Sequence, residues 1–127
     1  MKSLRAVIVP SDTTKRIHHL EVEKGLPPLQ ELVGGYIEMV RLNAFPGLHG
    51  YINEEGKLNG LPVNVRATSL VYGRSCWDNL HDVIVGDMIV LSSRGPEERS
   101  VKLDDINEIL ALDYTGVLLP GPDVHLA

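Results

Sequence analysis

The tightest constraint on this chain is the glycine pair Gly34-Gly35 and what lies on either side of it. Upstream, Pro27-Pro28 can open a helix, because a missing N–H costs nothing in the first turn. Leu29, Leu32 and Val33 follow at the spacing of one helical face. A glycine after the last turn can adopt the left-handed conformation that closes a helix. Downstream, Tyr36 to Leu42 reads as a strand, taken as central with both faces partly buried. A helix that stops within two residues of a strand implies mixed architecture.

The remaining punctuation extends this to the whole chain. Leu4–Val9 is β-rich and ends at Pro10, and Lys15 to Val22 alternates as the second arm of a hairpin. His49–Ile52 reads as a strand, Asn53-Glu54-Glu55-Gly56 as a turn and Lys57-Leu58 as a short returning strand. A helix is expected to begin around Asn59-Gly60-Leu61-Pro62, with Val63, Ala67, Leu70 and Val71 as its apolar stripe and Gly73 as its stop. Arg74 to Asp82 reads as a loop. Met88–Leu91 is the clearest strand, Arg94-Gly95-Pro96-Glu97 is a turn, and Ser100 to Leu103 reads as one more strand. Asp104 is the expected N-cap of a last helix, and residues 116–127 read as an irregular tail. The expected fold is α+β: a small mixed or antiparallel sheet packed against two or three short helices, in one domain spanning 1–127.

Composition narrows the function classes. A net charge of −5 disfavours binding of a phosphate backbone by a broad surface. One Phe, one Trp and four Tyr leave few rings for stacking single-stranded bases. Nucleic acid is therefore not an expected partner. Cys76 is the lone cysteine, no stretch approaches a membrane span, and no long apolar run follows Met1-Lys2-Ser3-Leu4. Cytoplasm is the expected compartment.

No catalytic, cofactor or metal motif stands out. His18 and His19 are adjacent on a strand, so they point to opposite faces. His49, His81 and His125 are scattered, and Cys76 with His81 nearby is an isolated pair. Gly34-Gly35 follows a helix, whereas phosphate cradles precede one. The most suggestive polar set is Asn53-Glu54-Glu55 with Asn64, Arg66 and Thr68. Asn64 and Thr68 are stacked four apart on a helix, and Arg66 leaves in another direction. For a small polar ligand, Asn53, Glu54, Asn64 and Thr68 would supply hydrogen bonds and Arg66 the anion contact. The competing reading is a capping and solvation network.

LQELVGGYIEMV, YINEEGKLNGLPVNVRATSLV and DVIVGDMIVL resemble, in order, the blocks of a small domain-of-unknown-function family found in tailed phages, notably of actinobacteria, and in mobile elements. The match rests on Gly34, Gly35, Glu38, Asn53, Glu54, Gly56, Pro62, Asn64, Ala67, Thr68, Gly86 and Asp87. It leaves out Asn43 to His49 and the tail after Tyr114. The resemblance implies a compact α+β accessory protein of no established activity, one that binds a host protein or a small polar ligand such as a nucleotide. No cofactor is implied. Two alternatives stand beside it. One is a small hydrolase using Glu54 or Glu55 as base; the other is a purely structural or protein-interaction module. Leu4–Val9, if an edge strand, offers a route to a homodimer.

Overall fold

A computed structural model describes residues 2–121. Its strands are β1 (Ser3–Val9), β2 (His18–Glu23), β3 (Ile37–Arg41), β4 (Leu48–Asn53), β5 (Met88–Arg94) and β6 (Glu97–Arg99). Its helices are α1 (Leu26–Val33), α2 (Val65–Tyr72) and α3 (Leu103–Thr115), with a 3-10 turn at Arg74–Asp78. The fold is α+β, as expected, and every strand pairing is antiparallel.

The sheet order is β2-β1-β5-β4-β3, with β6 pairing β5 beyond the end of β1. Two local hairpins, β1–β2 and β3–β4, are joined only through β5, which pairs Val7–Val9 on one side and Leu48–Tyr51 on the other. This placement explains the run Met88-Ile89-Val90-Leu91, in which all four residues are buried. A strand covered on both faces loses its apolar/polar alternation.

Each face of the sheet has its own core. Val7, Val9, Leu48, Ile52, Met88 and Val90 pack against Ala67, Leu70 and Val71 of α2 and Ile106 and Ile109 of α3. On the other face Leu4, Ala6, Ile8, Val22, Tyr51, Ile89 and Leu91 pack against Leu29 and Val33 of α1. The result is three layers, helix–sheet–helix. Gly34 ends α1 at φ 81°, and the Gly34 and Gly35 amides both donate to the Gln30 carbonyl. The glycine pair is thus the helix stop the sequence announces.

Several boundaries differ from expectation. The strand after Gly35 is an edge, since β3 ends the sheet. Leu4–Val9, in contrast, lies between β2 and β5, so it has no free edge to offer a second copy. Lys57-Leu58 stays within the turn that follows β4. The second helix starts at Val65, with Asn64 as its cap, and not at Pro62, because Val63 is held in a bridge to Val85. The last strand is Glu97–Arg99, earlier than Ser100 to Leu103, because the tight turn at Gly95-Pro96 returns the chain at once. Lys102 is the N-cap of α3, which puts Asp104 and Asp105 in its first turn, near the positive end of the helix dipole. In the expected tail, Gly116 closes α3 at φ 77° and Leu118 is buried; residues 122–127, with His125, lie outside the described residues.

Candidate functional site

The five residues chosen from the sequence occupy three separate places. Asn53 is buried and bridges two elements: its Nδ2 donates to the Val33 carbonyl at 3.1 Å and its Oδ1 accepts from the Glu55 amide at 2.8 Å. Glu54 is exposed and borders a small cleft of about 130 Å3 with Glu38, Lys57, Tyr72 and Asp82. Lys57 and Asp82 form an ion pair there. Asn64 and Thr68 are fully buried. Asn64 Nδ2 donates to the carbonyls of Val9 and Gly86, both at 2.8 Å, while its Oδ1 accepts from the Ala67 amide. Thr68 Oγ1 donates to the Asn64 carbonyl and accepts from the Ile84 amide.

Arg66 is only 2% exposed. Its Nη1 donates to Asp113 of α3 at 3.0 Å, and its Nη2 donates to the carbonyls of Pro10 and Asp12. Asp113 also accepts from the Ile17 amide. The guanidinium therefore ties α2 to the β1–β2 loop and to α3. Asn64, Arg66 and Thr68 are engaged inside the fold, and the set does not converge on one ligand.

A different set does converge, on the α1 face of the sheet. Eight helical residues span about 12 Å, too little to cover a sheet of this width. Beyond α1 the sheet face is left open at the ends of β3, β4, β5 and β6. There a pocket of about 390 Å3 is lined by Met39 and Arg41 of β3, His49 and Tyr51 of β4, Ser93 of β5 and Glu98 of β6. The register explains why they meet: Arg41 is opposite His49, Met39 is opposite Tyr51, and Ser93 is opposite Glu98. The backbones of Gly47 and Gly95 close the rim.

His49 is the unusual member. It is 6% exposed, and among the described residues its Nε2 has no hydrogen-bond partner. The ring meets Tyr51 edge-on, with centroids 5.2 Å apart at 89°. Burial holds the imidazole below its usual pKa, against the nearby Glu98 carboxylate, which pulls the other way; Arg41 adds to the lowering. Tyr51 is pushed up to about 12, first by burial and then by Glu98 beside it. At neutral pH the wall thus offers a neutral imidazole and a protonated phenol next to one cation and one anion. Buried polar atoms are normally paired; among the described residues His49 Nε2 and Arg66 Nε are the buried side-chain atoms without a partner.

Cys76 and His81 border a second depression with Asp82, but burial raises the Cys76 thiol, the opposite of what activates a nucleophile. Glu54 and Glu55 are both exposed, so neither has the burial that would tune a turn carboxylate into a general base. No group of three metal-ligating side chains comes together among the described residues.

Residues 2–113 match the sequence model of a family described as Domain of unknown function (DUF3846). The chain belongs to the DUF3846 family. Members are thus characterised by a shared sequence pattern, and every residue of the open-face pocket falls within the DUF3846 match. Among solved structures, the DUF3846 chain resembles part of the crystal structure of small RNA methyltransferase HEN1, with a TM-score of 0.60 at 14% identity. The likeness covers 91% of this chain but 17% of that one. At such identity it establishes a shared fold. No curated protein matches the chain. No helix among the described residues is long and apolar enough to cross a membrane.

Sequence reasoning passed over Arg41, His49, Tyr51, Ser93 and Glu98. The available signal was the period-two spacing that sets Arg41 on the face of Met39, and His49 on the face of Tyr51. On a two-sided strand such residues share a face. What the sequence does not give is the adjacency of four strands.

Proposed function

We propose that this chain is a non-catalytic binding protein that takes a small polar ligand, such as a nucleotide, in the open-face pocket of β3–β6. One observation carries the reading: the buried, unpartnered His49 in the wall of a pocket that also presents Arg41, Tyr51, Ser93 and Glu98. Pockets of a few hundred Å3 with a few convergent polar groups are the usual form of small-molecule sites. The sequence resemblance to phage proteins extends the proposal to an accessory role inside an infected cell, in host takeover or against host defence.

Thermal melting of the purified protein with a panel of nucleotides and cyclic dinucleotides tests the ligand reading. A ligand at 100 times its Kd adds about 2.7 kcal/mol of stability, which is several degrees for a domain of this size. The shift should disappear in Arg41→Ala. No shift with any member of the panel would remove the proposal.

A second reading, binding of a host protein, draws support from β3. This edge strand has an unpaired side, and the large apolar residues Tyr36 and Met39 beside it are exposed. Free edges accept a strand from a partner. If host protein is retained from lysate by the wild type, Met39→Pro should abolish retention while leaving the fold intact. Equal retention by both proteins would argue against this edge.

A further inference from the structure

Resting on the pocket reading above, we infer that the ligand is a nucleoside monophosphate whose base is guanine, with Glu98 reading the base and Arg41 holding the phosphate. The argument begins with charge. Arg41 and Glu98 line the same pocket, yet they are not among the ion pairs of the described residues. Opposite charges held in one concave site without meeting suit a ligand that is itself amphoteric.

Separation comes next. Arg41 lies on β3 and Glu98 on β6, three steps apart across the sheet, or roughly 14 Å between backbones. Both side chains line the pocket on the same face of the sheet. A compact anion such as phosphate reaches one of them. An elongated molecule, with an anion at one end and hydrogen-bond donors at the other, reaches both.

The carboxylate then selects the base. It is an acceptor-only group with two oxygens. Guanine presents two adjacent donors, N1–H and N2–H2, which such a pair accepts together. Adenine and cytosine place a ring acceptor beside their amino group, and uracil flanks its single N–H with carbonyls. Each of these sets a lone pair against the carboxylate. His49, opposite Arg41, lies on the strand between β3 and β5, and Ser93, opposite Glu98, adds a hydroxyl; Met39 and the Tyr51 ring, two residues further along β3 and β4, add apolar surface for a flat base. The Arg41 guanidinium can bind phosphate oxygens in two parallel bonds.

Calorimetry on the full chain tests this with GMP, IMP, AMP, guanosine and inorganic phosphate. GMP should bind tightest, with IMP at least tenfold weaker because it lacks the N2 amino group. Glu98→Gln should weaken GMP about tenfold and bring GMP and IMP close together. Arg41→Gln should reduce GMP to the affinity of guanosine. Neither residue is buried in the core, so the variants should fold, and circular dichroism verifies that they do. AMP binding as tightly as GMP, or GMP binding unchanged in Glu98→Gln, would overturn the assignment. The ring resonances of His49 separate the two levels of failure. If they move with another nucleotide but not with GMP, the guanine assignment falls and the pocket reading stands. If they move with no nucleotide, both fall.

Discussion

The Asn64 side chain makes three hydrogen bonds to three segments: the end of β1, the Gly86 turn and its own helix. Removing the side chain deletes a helix cap, worth about 1 kcal/mol, and strands two buried carbonyls at about 1 kcal/mol or more each. Asn64→Ala should therefore lose about 3 kcal/mol in urea denaturation. Asn64→Asp should lose a comparable amount, since it keeps the cap but turns an oxygen toward carbonyls. The Arg66–Asp113 pair sets up a related test. Both side chains are at most one-tenth exposed. Asp113→Ala leaves a buried cation without its partner and should cost about 3–5 kcal/mol. A double-mutant cycle with Arg66→Met should show strong coupling; additive losses would mean that the two act independently. At this scale the sequence was informative about importance and silent about role. Asn64, Arg66 and Thr68 stand out as polar residues on a helix, but the partners that engage them lie at Val9, Pro10, Ile84 and Asp113, far away in the chain.

Elements bounded by glycine and proline were the legible ones. Gly34 has a positive φ, and a methyl group added there would stand in open space, so substitution isolates the backbone cost of the left-handed cap. Gly34→Ala should lose about 1 kcal/mol. Gly35→Ala tests something else: its Cβ would sit 3.0 Å from Asn53 Nδ2, so the bond from Asn53 to Val33 must shift. Equal unfolding midpoints for Gly35→Ala and wild type would show that the Asn53 bridge gives way freely. Where local signals failed, tertiary pairing decided. Pro62 suggested a helix start, but Val63 pairs with Val85 and delays the helix until Val65, capped by Asn64. Tyr36–Leu42 suggested a central strand, yet half-buried side chains occur at an edge whenever a helix such as α1 covers one face. The open-face pocket was not legible because it is assembled from four strands, and their order depends on where β5 inserts.

Across the whole molecule, the uncovered end of the sheet couples stability to pH. His49 is favoured in its neutral form by burial, with Arg41 acting in the same sense and Glu98 opposing. Its contribution is therefore present above the ordinary histidine range near pH 6.5 and is lost as pH falls through the lower folded-state value. Wild type should lose stability between pH 7 and 5 relative to His49→Gln, and parallel curves would show that the imidazole titrates as it does in the unfolded chain. The central position of β5 bears on synthesis as well. Roughly 80 residues separate the end of β1 from the start of β5. At a ribosomal rate of about 5–20 residues per second, the inner edge of β1 waits roughly 4–16 s for β5, and that of β4, which ends at Asn53, roughly 2–7 s. During that interval the nascent chain carries two unpaired, apolar strand edges, a state in which chaperones would find it and in which a stalled ribosome would leave it prone to aggregate.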